Sequence, residues 1–309
     1  MPDLVIPFTT MDTLIDIQRH LILHSREGEV VSPLPGLRIS RSRSVGLPTS
    51  AIQEPCVSLI AQGAKRTEIG DIAFEFQEGE TLVVPANLPI VGQITKASAR
   101  APYLAMAFAL RPEVIAELLA TQPLATSSPG VQTGPSPSSI DPALLDAFNR
   151  LLALVDNLHD ANVLLPMLER EIAWRLLHGS HAWLVRQIGQ ERAQSSRVGN
   201  VVRWICEHHS EPVSIDALAE MAGMSVFTFY RQFRAITATS PLQYQKQIRL
   251  QEARMLLLKG ESDAVTAAYA VGYQSQSQFS REYRRRFGLP PMQDVQRTRA
   301  ERSRALDVI

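Results

Sequence analysis

Residues 219–233 read AEMAGMSVFTFYRQF, and residues 268–283 read AYAVGYQSQSQFSREY. At an offset of 50, Ser225 falls on Ser275, Phe229 on Phe279, Arg231 on Arg281 and Phe233 on Tyr283; upstream, at an offset of 49, Ala219 and Gly223 fall on Ala268 and Gly272. The chain therefore carries an internal duplication with a one-residue shift at the turn. In each copy a small Ala lets two helices approach closely, a Gly supplies the turn between them, and a Ser caps the second helix. Two aromatic residues four positions apart anchor that second helix to a core. This is the construction of a helix-turn-helix, whose second helix fits the major groove of B-form DNA.

The flanking caps extend the helical reading. Ser214 precedes a helix over 215–222, and Ser225 precedes one over 226–236. Ser240-Pro241 starts a long helix ending near Gly260, Asp263 caps 264–271, and Ser275 caps 276–287, which Gly288 stops. Helix-turn-helix units are expected at 215–236 and 264–287. Charge follows the same division: residues 196–309 carry 16 Lys+Arg against 11 Asp+Glu, while residues 1–195 carry 15 against 20, so a net charge of zero hides a basic end on an acidic body. Such a division fits a chain of which one part meets a polyanion, and equally a plain solvated surface.

A length of 309 residues predicts two domains. From 37 to 108 short β-prone runs alternate with Gly and Pro turns, which predicts a small antiparallel barrel or sandwich. A helix is expected before it, over 12–24, with Leu14, Ile17, Leu21 and Ile22 on one stripe. Residues 122–140 hold no charge and are rich in Pro, Ser, Gly and Thr, so a linker or surface loop is expected. Asp141-Pro142 then opens a helix whose stripe is Leu144, Leu145, Phe148, Leu151, Leu152 and Val155, and a second helix is expected from Pro166 to His178. These stripes can pack on the barrel or on a second copy of the chain. The longest uncharged stretch, 118–140, contains four Pro and cannot span a membrane. Asp3, Asp12 and Asp16 stand where a secretion leader needs cations, so a cytoplasmic protein is expected. Cys56 and Cys206 form no CxxC and predict neither a disulfide framework nor a Cys-rich zinc site.

The motifs Leu218-Ala219, Ala222-Gly223-Met224-Ser225, Phe229-x-Arg231-x-Phe233, Ser240-Pro241-x-x-Tyr244, Arg249-Leu250-x-x-Ala253-Arg254, Gly272-Tyr273-x-Ser275 and Arg286-Phe287-Gly288 resemble the DNA-binding domain of the AraC/XylS family of bacterial transcription regulators. Glu54-Pro55, Gln62-Gly63-x-Lys65, Leu82 to Pro89 and Pro102-Tyr103-Leu104 are similar to the N-terminal domain of one AraC subfamily. The resemblance implies an α+β protein of two domains. Residues 1–190 would form a cupin-like antiparallel β-barrel with a helical appendage, binding an effector or a second subunit. Residues 196–297 would form an all-α DNA-binding domain. Three departures stand out: Ala238 where most members have Gly, Ala267 where they have Ile or Leu, and Asp294 where they have Tyr. These predict an altered helix end, a thinner core under the second unit and a weakly anchored terminal helix.

The resemblance implies base contacts at Phe227, Tyr230 and Arg231, and the same logic in the second copy nominates Gln276, Ser277, Gln278 and Arg281, since Gln suits adenine and Arg suits guanine. The competing reading makes Arg231 and Arg281 buried partners of a carboxylate. Thr228, Ser280, Arg284, Arg285 and Arg286 are expected on phosphates, or on a merely solvated basic face. None of the seven histidines lies within 37–108, so a metal-dependent cupin enzyme is not expected. His20 with His24 and His178 with His181 have zinc-compatible spacing, but such pairs are usually surface residues, and neither metal nor cofactor is expected. No nucleophile elbow, P-loop or dinucleotide glycine pattern supports an enzyme. An apolar barrel suits a small-molecule effector, with Val57, Leu59, Phe74, Phe76, Val83, Met106 and Phe108 as inward candidates. The alternatives are a barrel that only dimerises, a thiol sensor at Cys56, or an enzymatic or architectural protein with a DNA-targeting tail. Expected partners are double-stranded promoter DNA, a small-molecule effector, a second copy and, by the family resemblance, RNA polymerase.

Overall fold

The computed structural model describes residues 10–46, 48–121, 134–192, 197–260 and 262–306. Helix α1 (Thr10–His24) precedes nine strands: β1 (Val30–Leu34), β2 (Leu37–Ser42), β3 (Thr49–Gln53), β4 (Cys56–Gln62), β5 (Ala64–Ile69), β6 (Ile72–Gln77), β7 (Glu80–Val84), β8 (Leu88–Lys96) and β9 (Tyr103–Ala109). Then follow α2 (Pro112–Thr121), β10 (Ser138–Ser139), α3 (Pro142–Ala153), a 3-10 turn (Leu154–Asp156), α4 (Leu158–His178) and α5 (Ala182–Arg192). The rest is helical: α6 (Arg197–Glu207), α7 (Ile215–Met221), α8 (Val226–Thr237), α9 (Pro241–Lys259), α10 (Ala264–Ala270), α11 (Gln276–Phe287) and α12 (Pro291–Leu306).

The strands form two sheets and not a closed barrel. A six-stranded sheet has the order β1-β2-β9-β4-β7-β10 and a four-stranded sheet the order β3-β8-β5-β6, with antiparallel pairing between neighbouring strands. The six-stranded sheet is apolar on both faces. Its outer face carries Val57, Leu59, Val83 and Phe108 and is covered by α1 to α5, which contribute Ile17, Leu21, Phe148, Leu151, Ile172 and others to one buried cluster. Its inner face carries Cys56, Ile60, Leu82 and Val84 and meets the four-stranded sheet. The α3 stripe is thus buried within its own chain, with Leu145, Phe148, Leu151 and Leu152 fully inaccessible, and it is not free to pair two chains. Ile22 points to solvent, off the α1 stripe.

Two sequence expectations shift. The helix expected to begin at Pro166 begins at Leu158, with Asn157 as its cap and Pro166 inside it. A proline removes one internal hydrogen bond, yet burial of Leu168, Ile172, Ala173 and Leu176 downstream holds the helix on its partners. Part of the expected loop is ordered into the sheet: Ser138 and Ser139 pair with Thr81 and Glu80 of β7. Residues 122–133 of that loop lie outside the described residues.

The helical half lies on the outer face of the four-stranded sheet. One apolar cluster runs continuously from Ile69 and Leu88 into Ile236, Tyr244 and Ile248 of the first helix-turn-helix unit. The second unit has its own cluster around Leu257, Ala267, Phe279 and Tyr283.

Candidate nucleic-acid interface and effector cavity

The repeated sequence makes a repeated structure. In the first unit the side chain of Ser225 accepts from Thr228 N, and Gly223 turns the chain with φ +58°; in the second, Ser275 accepts from Gln278 N, and Gly272 has φ +87°. Phe229 and Phe233 are fully buried, as are Phe279 and Tyr283, with ring centroids 5.5 Å and 5.4 Å apart. The anchors fix the rotation of each second helix and so decide which side chains face outward. Phe227 is 76% exposed, a large apolar group left in water on the outer face of α8, with Tyr230 and Arg231 exposed beside it. On α11, Gln276, Ser277, Gln278 and Arg281 are exposed. Gln278 Nε2 donates to Glu282 Oε1 at 3.3 Å. Arg231 and Arg281 are thus not the buried carboxylate partners of the competing reading.

The phosphate candidates divide. Arg284 and Arg285 are exposed, Thr228 and Ser280 are half-buried, and Thr228 accepts from Ser225 Oγ at 3.0 Å. Arg286 points elsewhere. Burial lowers its pKa, Glu68 of β5 is its charged neighbour, and its Nε and Nη2 are shielded without a hydrogen bond. As the domains stand here, Arg286 faces the sheet and not solution, because the third arginine of a run lies on a different side of a helix from the first.

Of the three departures, Ala238 adopts the left-handed conformation with φ 59°, the single non-glycine residue with positive φ among those described, and ends α8 there. Ala267 is wholly buried in the second unit's cluster. Asp294 overturns the expectation of weak anchoring. It is fully buried and accepts from Arg254 Nε at 2.7 Å, Arg254 Nη2 at 3.2 Å, Tyr283 Oη at 3.0 Å and Arg297 Nη2 at 3.3 Å. The carboxylate ties α12 to α9 and α11.

A second feature couples the halves. At the β5–β6 turn, Asp71 N donates to Ala238 O at 3.1 Å, Thr239 Oγ1 donates to Asp71 Oδ1 at 3.4 Å, and Arg234 pairs with Asp71 at 3.5 Å. Tyr244 Oη donates to Asn87 O, and Gln251 Nε2 to Ser50 Oγ. Arg234, Ala238 and Tyr244 belong to the first helix-turn-helix unit and the helix that follows it, so these bonds join the sheet to the last turn of α8 and to α9.

Between the sheets lies a cavity of about 260 Å³. Its walls include Phe76, as expected; Val57, Leu59, Val83, Met106 and Phe108 belong to the cluster under the helical layer, Met106 bordering the cavity only on the strand between Ala105 and Ala107, and Phe74 is half-buried outside the lining. The cavity is asymmetric in charge. Lys65 and Arg38 line it, and no Asp or Glu does among the described residues. Burial lowers the Lys65 pKa, and neither cation makes an ion pair among the described residues. Thr67 Oγ1, also in the wall, is buried and without a hydrogen bond. Cys56 is buried next to this space, with its pKa raised by burial, and receives a 3.3 Å hydrogen bond from Gln53 Nε2. In the sequence, the signal for Lys65 is a lysine on the inward phase of a strand, within Gln62-Gly63-x-Lys65.

A duplicated helix-turn-helix with two solvent-facing second helices, resting on a β sandwich with a cavity, defines a two-part helix-turn-helix protein. Residues 33–184 match the AraC-type transcriptional regulator N-terminus and residues 218–297 a helix-turn-helix domain, about three quarters of the chain between them. The chain belongs to the AraC family of transcriptional regulators. It is 29% identical over 168 residues to the HTH-type transcriptional activator RhaS of Escherichia coli O1:K1 / APEC, a match spanning 53% of this chain and 59% of that one. Among solved structures, fatty-acid-bound ToxT from Vibrio cholerae strain SCE256 has a TM-score of 0.52 at 8% identity, covering 84% of this chain and 94% of that one. ToxT from Vibrio cholerae O395 bound to (E)-4-(8-methylnaphthalen-1-yl)but-3-enoic acid has a TM-score of 0.54 at 9% identity, covering 84% and 97%.

Proposed function

We propose that this chain regulates transcription by binding promoter DNA through α8 and α11, under the control of a small molecule held between the two sheets. The observation that carries the reading is the pair of exposed faces, Phe227, Tyr230 and Arg231 on one helix and Gln276, Ser277, Gln278 and Arg281 on the other, set outward by buried aromatic anchors at equivalent positions. These side chains read base edges; Arg284 and Arg285, with Thr228 and Ser280, hold phosphates. Arg286 joins them only if the two halves separate. The effector carries an anionic group, for which Lys65, Arg38 and the Thr67 hydroxyl are the waiting partners, and an apolar body that fits against Phe76 and Leu82. The carboxylic acids bound by the two ToxT structures agree with this chemistry. Asp71 is the point through which effector binding loosens or tightens the reader.

By family membership the partner at the promoter is RNA polymerase and the compartment is the cytoplasm. A homodimer is proposed through α4 and not through α3, because Leu158, Val163, Leu164 and Met167 of α4 are exposed. The test is footprinting of the full chain on genomic fragments, with and without a panel of small carboxylic acids. A protected site whose occupancy responds to one acid supports the reading; a folded chain that protects no site at low salt overturns it.

A further inference from the structure

Helix α1 carries His20 and His24 one turn apart, and the 3-10 turn after α3 brings Asp156 up to both. His24 Nε2 lies 3.0 Å from Asp156 Oδ1 and His20 Nδ1 lies 3.6 Å from Asp156 Oδ2. No two of the three donor atoms are more than 4.8 Å apart. Yet His24 Nε2 is shielded from solvent and makes no hydrogen bond, even with the carboxylate beside it. Two donors close together but not aligned on each other are arranged as two ligands of one ion are. Zinc–nitrogen bonds of about 2.0–2.1 Å and zinc–oxygen bonds of about 2.0–2.2 Å put neighbouring donors of a tetrahedron roughly 3.3–3.5 Å apart. The separations of 3.0 and 3.6 Å, each to a different oxygen of Asp156, fall on either side of that edge.

We propose that His20, His24 and Asp156 form a divalent metal site, with zinc as its ion. Two imidazoles and one carboxylate are a borderline nitrogen and oxygen set, which zinc accepts and which suits neither calcium nor magnesium. The two imidazole side chains are 25% and 18% exposed and the carboxylate 49%, so the protein shields the two nitrogen corners, opens the carboxylate corner to solvent and leaves the fourth to water or to a further ligand. The ion would clip α1, which packs on the outer face of the six-stranded sheet, to the junction of α3 and α4. Its role is therefore in the sensor half, apart from the cavity and the DNA-reading faces.

The full-length protein, stripped with a chelator and dialysed, is titrated with Zn²⁺ alone by calorimetry and with Co²⁺ by visible spectroscopy. The wild type is expected to take up one equivalent, to melt at a higher temperature with zinc present, and to give the d–d bands of tetrahedral cobalt without thiolate charge transfer. His24→Gln and Asp156→Asn should each weaken uptake roughly tenfold or more, while His178→Ala leaves it unchanged. Circular dichroism of the metal-free variants checks that they fold as the wild type does. Absence of stoichiometric uptake by the wild type, uptake indifferent to both substitutions, or a thiolate band pointing to Cys56 or Cys206 would each overturn the proposal.

Discussion

Arg254 and Asp294 form a two-pronged ion pair inside the second helix-turn-helix unit, Nε to Oδ2 at 2.7 Å and Nη2 to Oδ1 at 3.2 Å, with the arginine 11% exposed and the aspartate fully buried. Arg254 also lies over the Phe287 ring, 5.0 Å from its centroid. One aspartate thereby holds α9, α11 and α12 together.

Removing that aspartate leaves a buried guanidinium and a buried phenol without their acceptor. Asp294→Ala should cost about 3–5 kcal/mol, as the loss of one partner of a buried pair does. The loss should be local. Hydrogen exchange is expected to rise in α11 and α12 while α1 to α5 stay protected, and a variant that melts and exchanges like the wild type would mean that the pair contributes nothing net.

The docking of the two halves is testable at Gly70. A Cβ there would sit 2.6 Å from Ala238 O and 2.9 Å from Thr237 O, in a backbone with φ +59°. Gly79 has a similar φ of +79° but open space around it. Gly70→Ala and Gly79→Ala should therefore share a strain of about 1–2 kcal/mol, and only the first should also push the halves apart. Small-angle scattering is expected to show a larger radius of gyration for Gly70→Ala alone, with Arg286 newly available to phosphate. Equal radii would place the clamp elsewhere.

Reader and clamp residues should differ in kind. Arg231→Ala or Gln276→Ala should cost about 1–3 kcal/mol on the preferred site and relax the choice of base, whereas Arg285→Ala should weaken all sequences alike and flatten the salt dependence. Binding to randomised DNA followed by sequencing separates the two, and an altered motif from Arg285→Ala with none from Gln276→Ala would reverse the assignment.

How much of this was legible beforehand follows from the range of each interaction. Ser225, Ser240, Asp263 and Ser275 cap helices through bonds to residues two or three positions on, so their roles stand in the local sequence. Alternation could not say which face of β4 is inward, because Val57 and Leu59 are as buried as Cys56 and Ile60; a sheet covered on both sides is apolar on both phases. Of the effector candidates, Val57, Leu59, Val83, Met106 and Phe108 therefore stand on the phase that faces the helices, and Phe76 on the phase that faces the cavity. Asp71 with Arg234, Arg254 with Asp294 and Asp156 with His24 join residues distant in the chain, and no spacing rule reaches them. Pro166 signals a helix start in the local sequence, and tertiary burial of the helix overrides its local cost.

Acid should act on the protein in two stages. His181 is buried and bonded to Ser138 Oγ at 2.8 Å and Thr81 Oγ1 at 3.2 Å, and burial lowers its pKa. The unfolded chain then binds this proton more readily than the folded one, so stability falls as pH drops through about 6.5 and below. Glu171 is held at a pKa of about 2 by Arg150 and Arg175, so its contribution is present above about 4.3 and is lost as pH falls from there toward 2. Melting temperatures across pH 8 to 3 should show both descents, and His181→Gln should remove the upper one only. A single descent near pH 4 in the wild type would mean that His181 is solvated in solution.

The strongest test of the cavity is Lys65. It is a cation in a desolvated wall with no carboxylate to meet it, an arrangement that costs stability while the cavity holds no anion. Its lowered pKa gives the sign: between the folded and unfolded values the unfolded chain binds more protons, so the wild type should gain stability as pH rises toward about 10.4. Lys65→Met keeps the length of the side chain and removes the charge. The variant should melt at a higher temperature than the wild type at pH 7 and lose that slope, while its response to any anionic effector disappears and its DNA affinity without effector is kept. A site that sacrifices stability for binding behaves in this way. If Lys65→Met lowers the melting temperature and still answers to the same carboxylic acid, the lysine is a structural prop and the anionic group of the effector, if it has one, binds another partner.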